Sequence, residues 1–209
     1  MPGRIIDSAA DLAEGAAWLC RAEPRFAPVL AATGPLPLRR HPDGFAALLD
    51  MIVSQQVSTA SAAAIHARLV AAGFDSEAAV AGAEAGALAA CGLSRPKIAY
   101  LHAIARAAPD YDALRHLPDA EVTARLTALK GVGRWTADLY LLSALGRADA
   151  FPAGDLALQE AARVLFDLPA RPAPAAFDVL AEAWRPWRAV AARALWSYYR
   201  QIKGREGAR

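Results

Sequence analysis

Leu129-Lys130-Gly131-Val132-Gly133-Arg134-Trp135-Thr136-Ala137 is the stretch on which the reading of this chain turns. A run with helical apolar spacing ends at Leu129 and another begins near Arg134, with a single valine between two glycines. Glycine permits positive φ and lets another backbone approach closely, so the pair fits a tight hairpin between two helices. The second helix then opens with N–H groups that lack partners and with the positive end of its dipole, a seat for a phosphate oxygen. Lys130 and Arg134 add positive charge at the same point. A plain helix–helix turn without any ligand explains the glycines as well. Residues elsewhere must decide.

Outward from this hairpin the pattern stays helical. Leu12, Ala16 and Leu19 share one face of a helix expected over residues 7–21, capped by Asp7 or Ser8. After the turn-rich Thr33-Gly34-Pro35-Leu36-Pro37, the residues Phe45, Leu48, Leu49, Ile52 and Val53 repeat at three and four. A small-residue helix follows over 58–71, and further helices are expected over 76–82, 84–90, 97–107, 119–128, 134–145, 156–166, 174–184 and 186–202. The tail from Gly204 is expected to fray. Sustained period-two alternation is missing and β-branched residues are sparse, so the chain reads as all-α.

Composition narrows the class. The 209 residues suffice for one domain or for two small lobes, and 56% of them are apolar. Net charge is only +2, but residues 1–124 carry 10 Lys and Arg against 13 Asp and Glu, while residues 125–209 carry 13 against 8. A basic C-terminal part is compatible with a polyanionic partner, as it is with an ordinary charged surface. Cys20 and Cys91 lie far apart without metal-ligand spacing and read as two reduced, buried thiols. No stretch is long and apolar enough to span a bilayer, and Met1 to Asp7 lacks the apolar run of a signal peptide, which predicts a soluble cytoplasmic protein.

The full LxGVGxxTA pattern resembles the helix-hairpin-helix element of the DNA glycosylase superfamily that includes endonuclease III and the 3-methyladenine glycosylases. The resemblance implies that Lys130, Gly131, Gly133, Arg134 and Thr136 lie against one DNA strand, gripping its backbone without reading sequence. It also implies a monovalent cation held by the backbone carbonyls of Thr127, Leu129 and Val132.

Downstream, Asp149-Ala-Phe-Pro-Ala-Gly-Asp155-Leu-Ala-Leu-Gln159 places Asp155 between a Pro/Gly turn and a new helical run, where an N-cap carboxylate is common. In the family an aspartate at the start of the helix after the hairpin is catalytic, and Asp155 matches it. A helix start favours negative charge, so capping and catalysis can coexist. Breaking an N-glycosidic bond builds positive charge on the deoxyribose, which one fixed carboxylate can stabilise. Asp149, the nearest competitor, matches no catalytic position.

Ile52-Val53-Ser54-Gln55-Gln56-Val57-Ser58 is similar to the I-[VLG]-x-Q-[QL]-[VLI]-S segment of 3-methyladenine DNA glycosylase II. There the residue after the first Gln fills the hole left by an extruded base, which makes Gln56 the plug, with Gln55, Ser54 and Ser58 beside it. Without the other motifs the same residues read as a polar helix junction. Trp184-Arg185-Pro186-Trp187-Arg188, followed by Leu195-Trp196-Ser197-Tyr198-Tyr199, resembles the family's C-terminal helix. The resemblance makes Trp196, then Trp135 and Tyr140, the lining of the base pocket, where an indole face attracts a cationic methylated purine. Leu139 replaces a tyrosine that lines the pocket in some members. Gly92-Leu-Ser-Arg-Pro-Lys97-Ile-Ala-Tyr-Leu101 also resembles a family segment and supplies Arg95 and Lys97 as exposed residues able to touch phosphate.

Members that also cut the strand carry a Schiff-base lysine where this chain has Trp135. That difference, with the missing cluster cysteines, implies a monofunctional hydrolase of alkylated bases such as 3-methyladenine and 7-methylguanine in duplex DNA. The compact form of the 3-methyladenine DNA glycosylase II family further implies a two-lobed helical bundle with a central cleft. Residues 1–209 form one catalytic unit in this reading. Its central lobe covers about 40–150, and its second lobe joins about 1–39 to 151–209. No organic cofactor and no catalytic metal are implied. A monomer is expected, bacterial in type and associated with the nucleoid. Two other readings stay open: a glycosylase/lyase of endonuclease III type, and a helix-hairpin-helix module that only binds DNA.

Overall fold

A computed structural model describes residues 3–207. Among them it has thirteen α-helices and no strand, only an isolated antiparallel bridge between Ile5 and Arg147, so the all-α expectation holds. No described helix is long and apolar enough to cross a membrane. The described chain divides into two compact units, residues 41–145 and residues 3–40 together with 146–207.

In the 41–145 unit, helix Phe45–Ser54 is the core element, because the three-and-four spacing of its apolar residues puts Leu48, Leu49, Ile52 and Val53 all at 1% exposure or less. Helices Thr59–Ala71 and Arg95–Ala107 pack on it. Lys97 departs from its expected exposure. Its ammonium is buried and donates a 2.7 Å bond to the carbonyl of Val53 in the last turn of Phe45–Ser54, and burial pulls its pKa down. Tyr111–His116 is a helix that the sequence did not signal, capped by Asp110.

The other unit is built round helix Arg188–Gly207, which packs on Leu156–Leu165, Phe26–Thr33 and Ala9–Ala22. That last helix carries the tail expected to fray as far as Gly207, and Ala208 and Arg209 lie outside the described residues. Ser8 and Asp11 form a capping box at the start of Ala9–Ala22. Trp184 is fully buried among Phe26, Phe151, Phe166 and Phe177, with ring centroids 5.4–6.1 Å away. Trp187 is buried too, so these two tryptophans are core. Both cysteines are free thiols; Cys91 is buried as expected, whereas Cys20 is only half-buried.

Candidate functional site: the hairpin and the capped carboxylate

Within residues 41–145, helix Asp119–Thr127 enters the hairpin and helix Arg134–Leu139 leaves it, passing into a π-helical turn at Tyr140–Ala144. Gly131 has φ +91°, and a Cβ there would run into the ring of Tyr100, so both conformation and space demand glycine. Gly133 differs. Its backbone is extended, a Cβ would meet nothing within 4 Å, and it caps the second helix without any side-chain bond. Lys130, Gly133 and Arg134 are exposed, which leaves the helix start open to an anion.

Arg134 is also half of an ion pair. Its Nε donates to both oxygens of Asp138 at 2.9 and 2.8 Å, and Asp138 is buried while the Arg134 side chain is 62% exposed. Thr136, expected against DNA, is instead 2% exposed, with its hydroxyl accepting a bond from the Gln55 amide. Of the carbonyls that the resemblance assigns to a monovalent cation, those of Thr127 and Val132 accept no hydrogen bond among the described residues, and that of Leu129 accepts one, from Val132 N–H. Three neutral oxygens of this kind would hold the ion through Thr127, Leu129 and Val132.

The segment after helix Phe45–Ser54 carries the expected plug. Gln56 is exposed and has φ +56°, a left-handed conformation uncommon outside glycine. Gln55 does not face outward as expected. Its Nε2 donates to Gly131 O at 3.1 Å and to Thr136 Oγ1 at 3.2 Å, tying this segment to the hairpin. Ser58 caps helix Thr59–Ala71 by accepting from Ser61 N–H, and Ser54 closes the preceding helix half-buried. Tyr140 is no pocket residue: it has no exposed surface, and its hydroxyl accepts a 2.9 Å bond from Gly44 N–H. Burial, with the charge of Asp43 adding to it, pushes its phenol pKa up to about 12. Trp135 is half-buried in the first turn of helix Arg134–Leu139.

In the other unit, Asp155 is the N-cap of helix Leu156–Leu165. Its Oδ1 accepts from Ala157 N–H at 2.9 Å and from Leu158 N–H at 3.1 Å. Trp196, half-buried on helix Arg188–Gly207, donates from its indole Nε1 to the same oxygen at 3.2 Å. Sequence reading placed both residues in one site but missed this bond. It also missed Gln159, which donates to Ala153 O at 2.8 Å and so pins the turn ahead of Asp155. Leu156, next in the chain, is 64% exposed, unusual for a large apolar residue. Asp149 is engaged elsewhere: Arg188 binds it at 2.8 and 3.0 Å and Arg185 at 2.6 Å, so the arginines of Trp184-Arg-Pro-Trp-Arg188 neutralise the carboxylate nearest in sequence to Asp155 on its N-terminal side.

Comparison with known proteins bears on these features. Residues 49–189 match the family model described as HhH-GPD superfamily base excision DNA repair protein. The alkylbase DNA glycosidase-like protein mag2 of Schizosaccharomyces pombe is 27% identical over 82% of this chain and 86% of its own. The structure of the 3-methyladenine DNA glycosylase Mag1 of the same yeast, in complex with abasic DNA, superposes with a TM-score of 0.81 at 29% identity, covering 88% of this chain and 95% of that one. A DNA-3-methyladenine glycosidase from Bacillus halodurans does so at 0.78 and 26%, covering 98% and 95%.

Proposed function

The chain belongs to the HhH-GPD superfamily of base excision DNA repair proteins, and from that premise we propose that it is a monofunctional DNA glycosylase acting as a monomer on alkylated bases in duplex DNA, 3-methyladenine and 7-methylguanine among them. The observation that carries the reading is Asp155, whose Oδ1 is fixed by two backbone N–H groups and an indole N–H. A carboxylate held in this way needs little reorganisation to stabilise the positive charge that grows on a deoxyribose as its base departs. It can also orient the attacking water.

The hairpin supplies a grip without sequence preference, through the open helix start at Gly133 and the exposed Lys130 and Arg134. Gln56 fills the space of the extruded base. The half-buried indole of Trp196 offers a face to a cationic purine, an attraction of about 1–2 kcal/mol. An alkylated purine is already a good leaving group, so no acid partner for Asp155 is required. Two similar proteins, mag2 and Mag1 of Schizosaccharomyces pombe, are named as an alkylbase DNA glycosidase-like protein and a 3-methyladenine DNA glycosylase.

The test is release of free base from methylated duplex DNA by the wild type and by Asp155→Asn. Release by the wild type and its loss in the variant support the reading. Equal release by both proteins removes Asp155 from its role, and release by neither leaves a DNA-binding module. Trapping of a covalent DNA adduct with borohydride would move the assignment to a glycosylase/lyase.

A further inference from the structure

We infer that Gln55 is a positioning residue that couples the base-replacing Gln56 to the strand-gripping hairpin, acting through its bonds to Gly131 and Thr136; the inference rests on the proposed glycosylase function. A plug can enter a base stack only at a defined distance from the strand that the hairpin holds. The segment bearing Gln56 is therefore useful in proportion to how firmly it is referenced to that hairpin.

The structure supplies the reference at three points. Ahead of the segment, the buried Lys97 ammonium holds Val53 O at 2.7 Å. Behind it, the Ser58 cap starts the next helix. In the middle, the Gln55 amide reaches across 76 and 81 residues of sequence to Gly131 O and Thr136 Oγ1. Both acceptors belong to the hairpin itself, one in the turn and one in the first turn of the following helix. Between these anchors Gln56 keeps a left-handed backbone at φ +56°, which an unrestrained glutamine rarely adopts. Val57 beside it is 39% exposed, so the segment presents an amide and an apolar side chain together.

The experiment uses a duplex in which 2-aminopurine lies beside a tetrahydrofuran abasic-site analogue, with fluorescence reporting unstacking and anisotropy reporting binding. Thr136→Val, which removes one of the two bonds, and Gln55→Leu, which removes both, are expected to reduce the unstacked fraction at saturation, the first by on the order of fivefold, the worth of about one hydrogen bond, and the second by at least as much. Affinity for undamaged duplex and its salt dependence should stay at wild-type values, because the hairpin's own phosphate contacts remain. The double variant should be little worse than Gln55→Leu alone, and Thr136→Ser, which retains the hydroxyl, should behave as wild type.

Wild-type unstacking by Gln55→Leu overturns the inference, as do multiplicative losses in the double variant. So does a loss of undamaged-duplex affinity equal to the loss of unstacking, since that marks a general collapse of the hairpin. If Thr136→Val does not fold, Gln55→Leu alone gives the same decision: it should lose unstacking while keeping undamaged-duplex affinity. Failure of the wild type to bind or unstack this duplex would remove the glycosylase reading along with the inference, whereas a responsive wild type with an equally responsive Gln55→Leu removes the inference alone.

Discussion

The indole N–H of Trp196 and the carboxylate of Asp155 are joined by a 3.2 Å hydrogen bond, made to the same oxygen that two backbone N–H groups of helix Leu156–Leu165 already hold. Trp196 thus has two separable properties, a ring face and a donor. Phenylalanine keeps most of the first and removes the second. Trp196→Phe should lower the single-turnover rate of base release by about tenfold, in line with losing one bond to a charged acceptor. Trp196→Ala, which removes the face as well, should lower it further and weaken binding of the lesion. Equal rates for Trp196→Phe and wild type would restrict the indole to a packing or stacking role.

Asp155 carries two duties that serine can split. Serine is a good N-cap but brings no charge. Asp155→Ser should keep the thermal midpoint of the wild type while abolishing base release. Asp155→Ala loses both, with a stability loss of about 1 kcal/mol, which in a chain of this size lowers the midpoint by about 2–4 °C. Calorimetry beside the release assay checks the pair; activity surviving in Asp155→Ser would deny the carboxylate its electrostatic role.

What could be read from sequence follows the range of the interactions involved. Gly131 and Asp155 were legible because a turn and a cap are decided by a few neighbouring residues. Helix Phe26–Thr33 lay outside the helices expected from sequence; its Pro28 stands in the first turn, where the missing N–H has no helical partner anyway. Tyr140 was given to the pocket by the family resemblance, beside Leu139, which stands where some members have a pocket tyrosine. The π-helical turn at Tyr140–Ala144 changes which side chains share a face, and Tyr140 turns into the core toward Gly44. Lys97 and Gln55 look like solvent-facing polar residues until the fold brings Val53, Gly131 and Thr136 to them.

The burial of Lys97 has a signature in the pH dependence of stability. Its pKa in the folded protein lies below the ordinary lysine value, so across the window from that depressed value up to about 10.5 the unfolded chain binds more protons than the folded one. Stability gains a contribution that rises with pH through this window and is smallest below it. Tyr140, pushed up to about 12, stays protonated throughout. Urea unfolding of the wild type and of Lys97→Met at mildly and strongly alkaline pH isolates the term. The difference between the two proteins should shift in favour of the wild type as pH rises, and a constant difference would show that the ammonium is not desolvated in solution.

Tyr140→Phe removes the acceptor of the half-buried Gly44 N–H and should cost about 1–2 kcal/mol of stability. The phenol is fully buried, so the relative rates on 3-methyladenine, 7-methylguanine and hypoxanthine should not change. A changed order among the three lesions would return Tyr140 to the base pocket.

The two hairpin glycines make opposite predictions. Gly131 stands at φ +91° with the Tyr100 ring where a Cβ would go, so Gly131→Ala should be destabilised by roughly 1–3 kcal/mol and bind DNA poorly because the turn is deformed. Gly133 has an extended backbone and open space around it, so Gly133→Ala should fold with wild-type stability. Nothing among the described residues requires glycine there. A phosphate drawn up to the exposed helix start would meet the added methyl, however, and Gly133→Ala should bind duplex DNA at least several-fold more weakly, with the defect present on undamaged as well as methylated DNA. Anisotropy titrations together with unfolding curves on both variants check the contrast. Full DNA affinity in Gly133→Ala would mean that the strand does not approach this helix start, and the grip would have to be sought among other residues.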